Sequence, residues 1–156
     1  MPEIILIIAI LAADLATKHW AQNVLAAMPN GLIVWRDVFS FHYVQNTGAA
    51  FGILPNARWL FLIITVPVIL LIAYILWKKR PPRLLSLALA AILAGAAGNL
   101  IDRVVFTYVR DFISVDLIHF AVFNVADMAV CVGGVILVAM LLFYKKPLFP
   151  DRKRKK

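Results

Sequence analysis

Acidic side chains are scarce in this chain, and their placement is the first hint of chemistry. Of eight Asp and Glu in 156 residues, Glu3 and Asp151 lie near the termini and Asp37 lies in a connecting stretch. The other five, Asp14, Asp102, Asp111, Asp116 and Asp127, stand in or beside strongly apolar runs. Asp14 and Lys18 are four apart, the spacing of an ion pair on one helix face. Asn99 and Asp102 are three apart, with Arg103 next, and Asn124 and Asp127 repeat the three-residue spacing. Charges inside an apolar span are costly and face a bundle interior or a wet cavity. Two carboxylates brought close together cannot both ionise easily, so the pair shares one proton near neutral pH. The ionised member then activates a water while the protonated one donates to a carbonyl oxygen. Such a pair is equipped for general acid–base chemistry.

Each of these residues also has a plainer role open to it. Asp14 and Lys18 could be a neutralised pair that lets a helix insert, and Asp102 with Arg103 a structural clamp. Asn124 followed by Asp127 is what helix capping asks for. Asp111, between Arg110 and Phe112, could be a solvated loop residue. The run Asn46-Thr47-Gly48-Ala49-Ala50-Phe51-Gly52 reads as a turn in which Gly48 and Gly52 permit unusual backbone angles. Asp116 carries no specific signal. Cys131 lies among apolar neighbours as a small packing residue, and a single cysteine excludes an intramolecular disulfide. His19, His42 and His119 lack metal-ligand spacing, so neither metal nor cofactor is expected.

The elements that must position these groups are set by composition. Hydrophobic residues make up 63% of the chain and charged residues 15%, with a mean hydropathy of +0.90. A soluble domain is closer to 45–50% apolar, so disorder, a DNA-binding domain and an ordinary cytosolic enzyme are excluded. Four apolar stretches, about 4–20, 59–77, 84–105 and 125–144, each approach the ~20 residues that cross a bilayer as a helix. The first lacks a basic leading segment and carries Asp14 and Lys18, so it reads as a retained span rather than a cleaved signal peptide. Trp59 and Trp77 bracket the second as interfacial aromatics do, and Pro67 inside it predicts a kink. The third is rich in Ala and Gly, a face that allows close helix packing. Between the first two, about 32–54, Phe39, Phe41 and Tyr43 alternate with Ser40 and His42, which predicts β-structure in an outer subdomain. The fold expected is an all-α membrane protein of four transmembrane helices with a small extracytoplasmic β-containing subdomain, in a single domain spanning 1–156.

Cations give the orientation. Eleven of the 16 Lys and Arg lie in two places: Lys78, Lys79, Arg80 and Arg83 between spans two and three, and seven in the tail 145–156. The positive-inside rule places both, and hence both termini, in the cytoplasm. The net charge of +8 sits beside the membrane, where it meets anionic lipid rather than nucleic acid.

Five segments together carry a resemblance: Asp14-Leu15-Ala16-Thr17-Lys18, the Asn46-to-Gly52 run, Gly98-Asn99-Leu100-Ile101-Asp102-Arg103, Asp111-Phe112, and Phe123-Asn124-Val125-Ala126-Asp127. In this order, between four spans, they resemble the bacterial lipoprotein signal peptidase family, signal peptidase II. The resemblance implies an aspartyl endopeptidase of the cytoplasmic membrane. Its substrates would be diacylglyceryl-modified prolipoproteins, cut just before the lipidated cysteine at the outer membrane face. It implies a catalytic pair, Asp111 and Asp127. It also implies supporting or substrate-binding roles for Asp14, Lys18, Asn46, Gly48, Asn99, Asp102, Arg103, Asn124 and Ala126, and a monomer. Arg110 departs from the family's usual small apolar residue, and would lower the pKa of Asp111 or alter the mouth of the site. The segment from Asp111 to Asn124 is also on the short side. The competing class is a four-helix transporter or channel using Asp14, Asp102 and Asp127 as a proton relay. It accounts for neither Asp111 nor the Asn46-to-Gly52 run.

Overall fold

The computed structural model describes residues 1–49, 53–79, 81–118, 120–145 and 148. Four helices dominate it: α1 (Pro2–Asn23), α2 (Arg58–Tyr74), α3 (Arg83–Val105) and α4 (Val125–Phe143). All four are long and apolar enough to cross a membrane. α2 runs unbroken through Pro67 and continues as a π-helical turn, Ile75–Lys79. Its two tryptophans each carry a cation on the ring face, Arg58 on Trp59 and Lys78 on Trp77. Cations and amphipathic aromatics at helix ends suit a membrane–water boundary.

α3 is the central helix. Its most apolar stretch is 44% buried, against 6–17% for the other three, and it packs against each of them. Small residues make this possible. Ala88, Ala90, Ala94, Gly95 and Gly98 are all buried. A Cβ on Gly95 would run into the carbonyl oxygen of Ala126, and one on Gly133 of α4 would lie 2.6 Å from the carbonyl oxygen of Ala88. Backbones that approach this closely gain dispersion energy where no hydrophobic effect is available, as between helices in lipid. The outward faces of α1, α2 and α4 stay apolar, with Ile5, Ile63, Leu70, Val135 and Leu142 exposed. Water would penalise such a surface, and hydrocarbon does not.

The β-structure is larger than the sequence suggests. β1 (Leu32–Trp35), β2 (Phe39–Asn46) and β3 (Val109–Val115) form an antiparallel sheet in the order β1-β2-β3. β3 comes from the connection between α3 and α4, where the alternation is hidden because the strand is buried on both faces. Phe39, Phe41 and Tyr43 do share a face, packed with Trp20 against buried Ala21, Leu25, Phe112 and Ile113. Trp20 meets Phe41 and Phe112 edge-on. This aromatic cluster fixes the sheet to the end of α1. Asp116 contributes as well, accepting hydrogen bonds from the hydroxyls of Ser40 and Ser114.

The register then does the positioning. Val44 pairs with Asp111 and Asn46 with Val109, so Asn46 and Asp111 are diagonal neighbours on one face of the sheet. Ala50, Phe51 and Gly52 of the turn, Arg80, His119 and the tail apart from Lys145 and Leu148 lie outside the described residues.

Candidate active site

Asp111, in the middle of β3, is 2% exposed. Its Oδ2 accepts from the Asn46 amide at 2.8 Å and its Oδ1 from the Asn124 amide at 2.6 Å. Asp127, in the first turn of α4, accepts at Oδ1 from the Asn99 amide at 2.7 Å. Its Oδ2 accepts from the backbone N–H of Asn124 at 3.1 Å, while Asn124 Oδ1 accepts from the Asp127 N–H at 2.9 Å. This reciprocal capping box gives Asn124 both of the roles left open by the sequence. Its backbone and carbonyl start α4 and hold Asp127, and its amide N–H holds Asp111. The second amide hydrogen reaches Asn99 Oδ1 at 3.2 Å.

Behind these carboxylates lies a fully buried ionic cluster. Lys18 is 2.8 Å from Asp14 and 3.5 Å from Asp102, and its ammonium also donates to Asn99 Oδ1 at 2.9 Å. Asp14 Oδ1 accepts from the backbone N–H of Ala126 at 2.9 Å, which ties α1 to the start of α4. Gly98 leaves room for this carboxylate, since a Cβ there would lie 2.5 Å from Asp14 Oδ2. Two carboxylates and two cations make the cluster neutral, the condition under which buried charges are tolerated. The second cation is Arg110.

Two expectations are corrected here. Asp102 does not clamp Arg103. It takes three hydrogen bonds from Arg110: the backbone N–H at 2.9 Å, Nε at 3.2 Å and an outer guanidinium nitrogen at 2.7 Å. Arg103 turns the other way, onto the Gly48 carbonyl at 3.0 Å and over the Phe61 ring. Nor does Arg110 lower the Asp111 pKa. Successive strand residues face opposite sides, so the Arg110 guanidinium goes to Asp102, Gln22 and the face of Phe106. Burial instead pushes the Asp111 carboxyl up to about 7, against the Asn46 hydrogen bond and with the negative charge of Asp127 adding to the rise.

Both Asp111 and Asp127 line a mainly apolar cavity of about 560 Å³. Asn46, Asn99 and Arg103 complete its polar end, and Thr65, Ala96, Phe120, Val122, Phe123, Met128 and Val130 form its walls. No motif marks these wall residues, because any apolar side chain of suitable size serves. Cys131 is a further correction. It is exposed and lines the same cavity rather than packing in the interior. A smaller hollow of about 310 Å³ also reaches Asp111, lined by Val44–Gly48 and Ala121–Val122. Of the three carboxylates that a proton relay would link, Asp14 and Asp102 are buried in ion pairs and only Asp127 reaches the cavity. Among the described residues no three His, Cys, Asp or Glu are grouped to hold a metal ion.

The amides explain what the arrangement can do. Three Asn side chains present N–H donors to the two carboxylates, fixing them against rotation at the end of a mainly apolar cavity. A carboxyl near pKa 7 beside a second carboxylate can give up and take back a proton at neutral pH.

Comparison with known proteins agrees with this picture. Residues 6–143 match the family described as Signal peptidase (SPase) II. A lipoprotein signal peptidase of Clostridium tetani is 39% identical over 155 residues, covering 97% of each chain. One from Brevibacillus brevis is 43% identical over 140 residues, 88% of this chain and 93% of its own. Two bacterial membrane enzyme structures obtained by the in meso method, at 2.3 Å and 1.9 Å, superpose with TM-scores of 0.84 and 0.80. They are 27% and 28% identical to this chain; the alignments cover 96% and 93% of it and 94% of each structure's own chain.

Proposed function

The chain belongs to the signal peptidase II family, and on that footing we propose that Asp111 and Asp127 are the catalytic pair that cuts diacylglyceryl-modified prolipoproteins just before the lipidated cysteine. As a member it is an aspartic-type protease of a bacterial membrane, acting to remove signal peptides from prolipoproteins. The observation that supports the pair is the shared cage. Two carboxylates from β3 and α4 line one cavity and are both held by Asn124.

Asp111 carries the shared proton, since burial keeps it on the carboxyl up to about pH 7. Asp127 takes a proton from a water as that water attacks the scissile carbonyl carbon. Asp111 donates to the carbonyl oxygen as the tetrahedral intermediate forms. Collapse then breaks the C–N bond: the proton on Asp127 passes to the leaving amine, and the hydroxyl that Asp111 protonated returns its proton to Asp111 as the carbonyl re-forms. The products are the signal peptide acid and the free amine of the lipidated cysteine. Asn46, Asn99 and Asn124 hold the two carboxylates. Asp14, Lys18 and Asp102 support them from behind, the Ala126 N–H docks on Asp14, and Arg103 braces the turn at Gly48. No metal takes part.

The apolar cavity wall suits a substrate whose acyl chains remain in lipid while the peptide bond reaches the carboxylates. The enzyme works as a monomer with both termini in the cytoplasm and the site at the outer face. The test is cleavage of a lipidated prolipoprotein by the purified protein in nanodiscs, read by mass spectrometry. The expected product begins at the lipidated cysteine, and the unlipidated precursor stays intact. Cutting elsewhere, or equal cutting without lipid, overturns the assignment.

A further inference from the structure

Lys18 is one side chain removed from Asp127, with Asn99 between them. An ammonium has three donors and no acceptor. Here the ammonium donates to Asn99 Oδ1 at 2.9 Å and is ion-paired with Asp14 Oδ2 at 2.8 Å and Asp102 Oδ2 at 3.5 Å. An Asn amide can sit in either of two orientations, and only its partners decide between them. Reversed, the Asn99 NH₂ would face the Lys18 ammonium and the Asn124 NH₂, donor against donor. Its carbonyl oxygen would face the Asp127 carboxylate, acceptor against acceptor. As placed, Asn99 Nδ2 donates to Asp127 Oδ1 at 2.7 Å.

We propose that Lys18 is a positioning residue that fixes the Asn99 amide so that its N–H points at Asp127, and so holds that carboxylate as an acceptor aimed into the cavity. Asp14 and Asp102 then have a task beyond neutralising a buried cation. Their two negative charges flank the ammonium and hold it where its hydrogen bond reaches Asn99. The spacing in the sequence pairs Lys18 with Asp14 alone. The contact with Asn99, 81 residues away, exists only in the folded bundle.

The proposal rests on Asp127 being one of the catalytic pair, and the two are tested separately. If folded Asp127→Asn retains turnover, the pair is misassigned whatever Lys18 does. The test of Lys18 is a double-variant cycle on the full-length protein in nanodiscs, with kcat and KM measured on a lipidated prolipoprotein. Lys18→Met should lower kcat about 10–100-fold, the scale of losing a partner that orients a reacting group, with KM changed less than about twofold. In an Asn99→Ala background the same replacement should cost less than about twofold more, because Lys18 then has no amide to orient. Should Lys18→Met fail to insert or fold, the cycle is run in an Asp14→Asn background, which removes one charge of each sign from the cluster. An equal loss of kcat with and without Asn99, an effect on KM alone, or no effect overturns the proposal.

Discussion

Asp111 shows how a single side chain's chemistry depends on its neighbours. Buried on a strand, it keeps its proton up to about pH 7 rather than near 3.8, even though the amides on both oxygens pull the other way. A raised carboxyl pKa means the acid form persists through mildly acidic pH and is lost as pH climbs past that value. The cleavage rate on a saturating lipidated substrate is therefore expected to hold below pH 7 and fall above it. A rate that rises tenfold between pH 7 and 9 would contradict a protonated Asp111. Asp111→Asn and Asp127→Asn should each cost about 10³-fold or more, with the double variant little worse, because partners in one mechanism are strongly non-additive. Binding of an uncleavable lipidated peptide by each variant separates lost chemistry from lost folding. Cys131→Ala, at the exposed cavity rim, should leave turnover within about twofold.

Between elements, close approach and charge balance decide what can be changed. α3 meets α1 where Gly98 faces the Asp14 carboxylate. Gly98→Ala pushes a methyl into that oxygen and should destabilise the protein by about 1–3 kcal/mol, the usual cost of overpacking. β3 is anchored to α3 by Arg110 on Asp102 and to α1 by Arg110 on Gln22. Arg110→Met leaves a buried carboxylate short of a partner and should cost about 3 kcal/mol. Adding Asp102→Asn should recover part of that loss. Thermal unfolding in one detergent, followed by tryptophan fluorescence, measures both. Equal stability of Arg110→Met and wild type would show that the strand is held some other way.

At the scale of the whole molecule, the membrane is the solvent that makes the arrangement stable. α1, α2 and α4 turn apolar faces outward, while every charge in the Asp14–Lys18–Asp102–Arg110 cluster is enclosed by helices and sheet. The cations at Lys78, Lys79 and Arg83 predict that this end of the bundle is cytoplasmic, together with the C-terminus. Reporter fusions after residue 79 and at the C-terminus are both expected to read cytoplasmic. A C-terminal fusion reading external would reverse the topology and move the site to the other face.

The sequence alone determined the membrane class, the four helices and the polar residues that the fold gathers around one cavity. Those properties are local: hydropathy over about 20 residues, and polar residue types that an apolar span does not carry without a purpose. It also carried the Asp14–Lys18 pair and the Asn124 cap, since partners three or four residues apart meet in any helix. Tertiary structure decided the rest. β3 was illegible because a strand buried on both faces loses its alternation. Asp102 took Arg110 rather than its neighbour Arg103, because adjacent helix residues diverge while a crossing strand can present its side chain and N–H together. Lys18 found Asn99, and Asn124 bridged Asp111 to Asp127, across separations that no local pattern encodes. The cavity walls left no trace in the sequence, for van der Waals shape tolerates many side chains where hydrogen bonding to a carboxylate tolerates few.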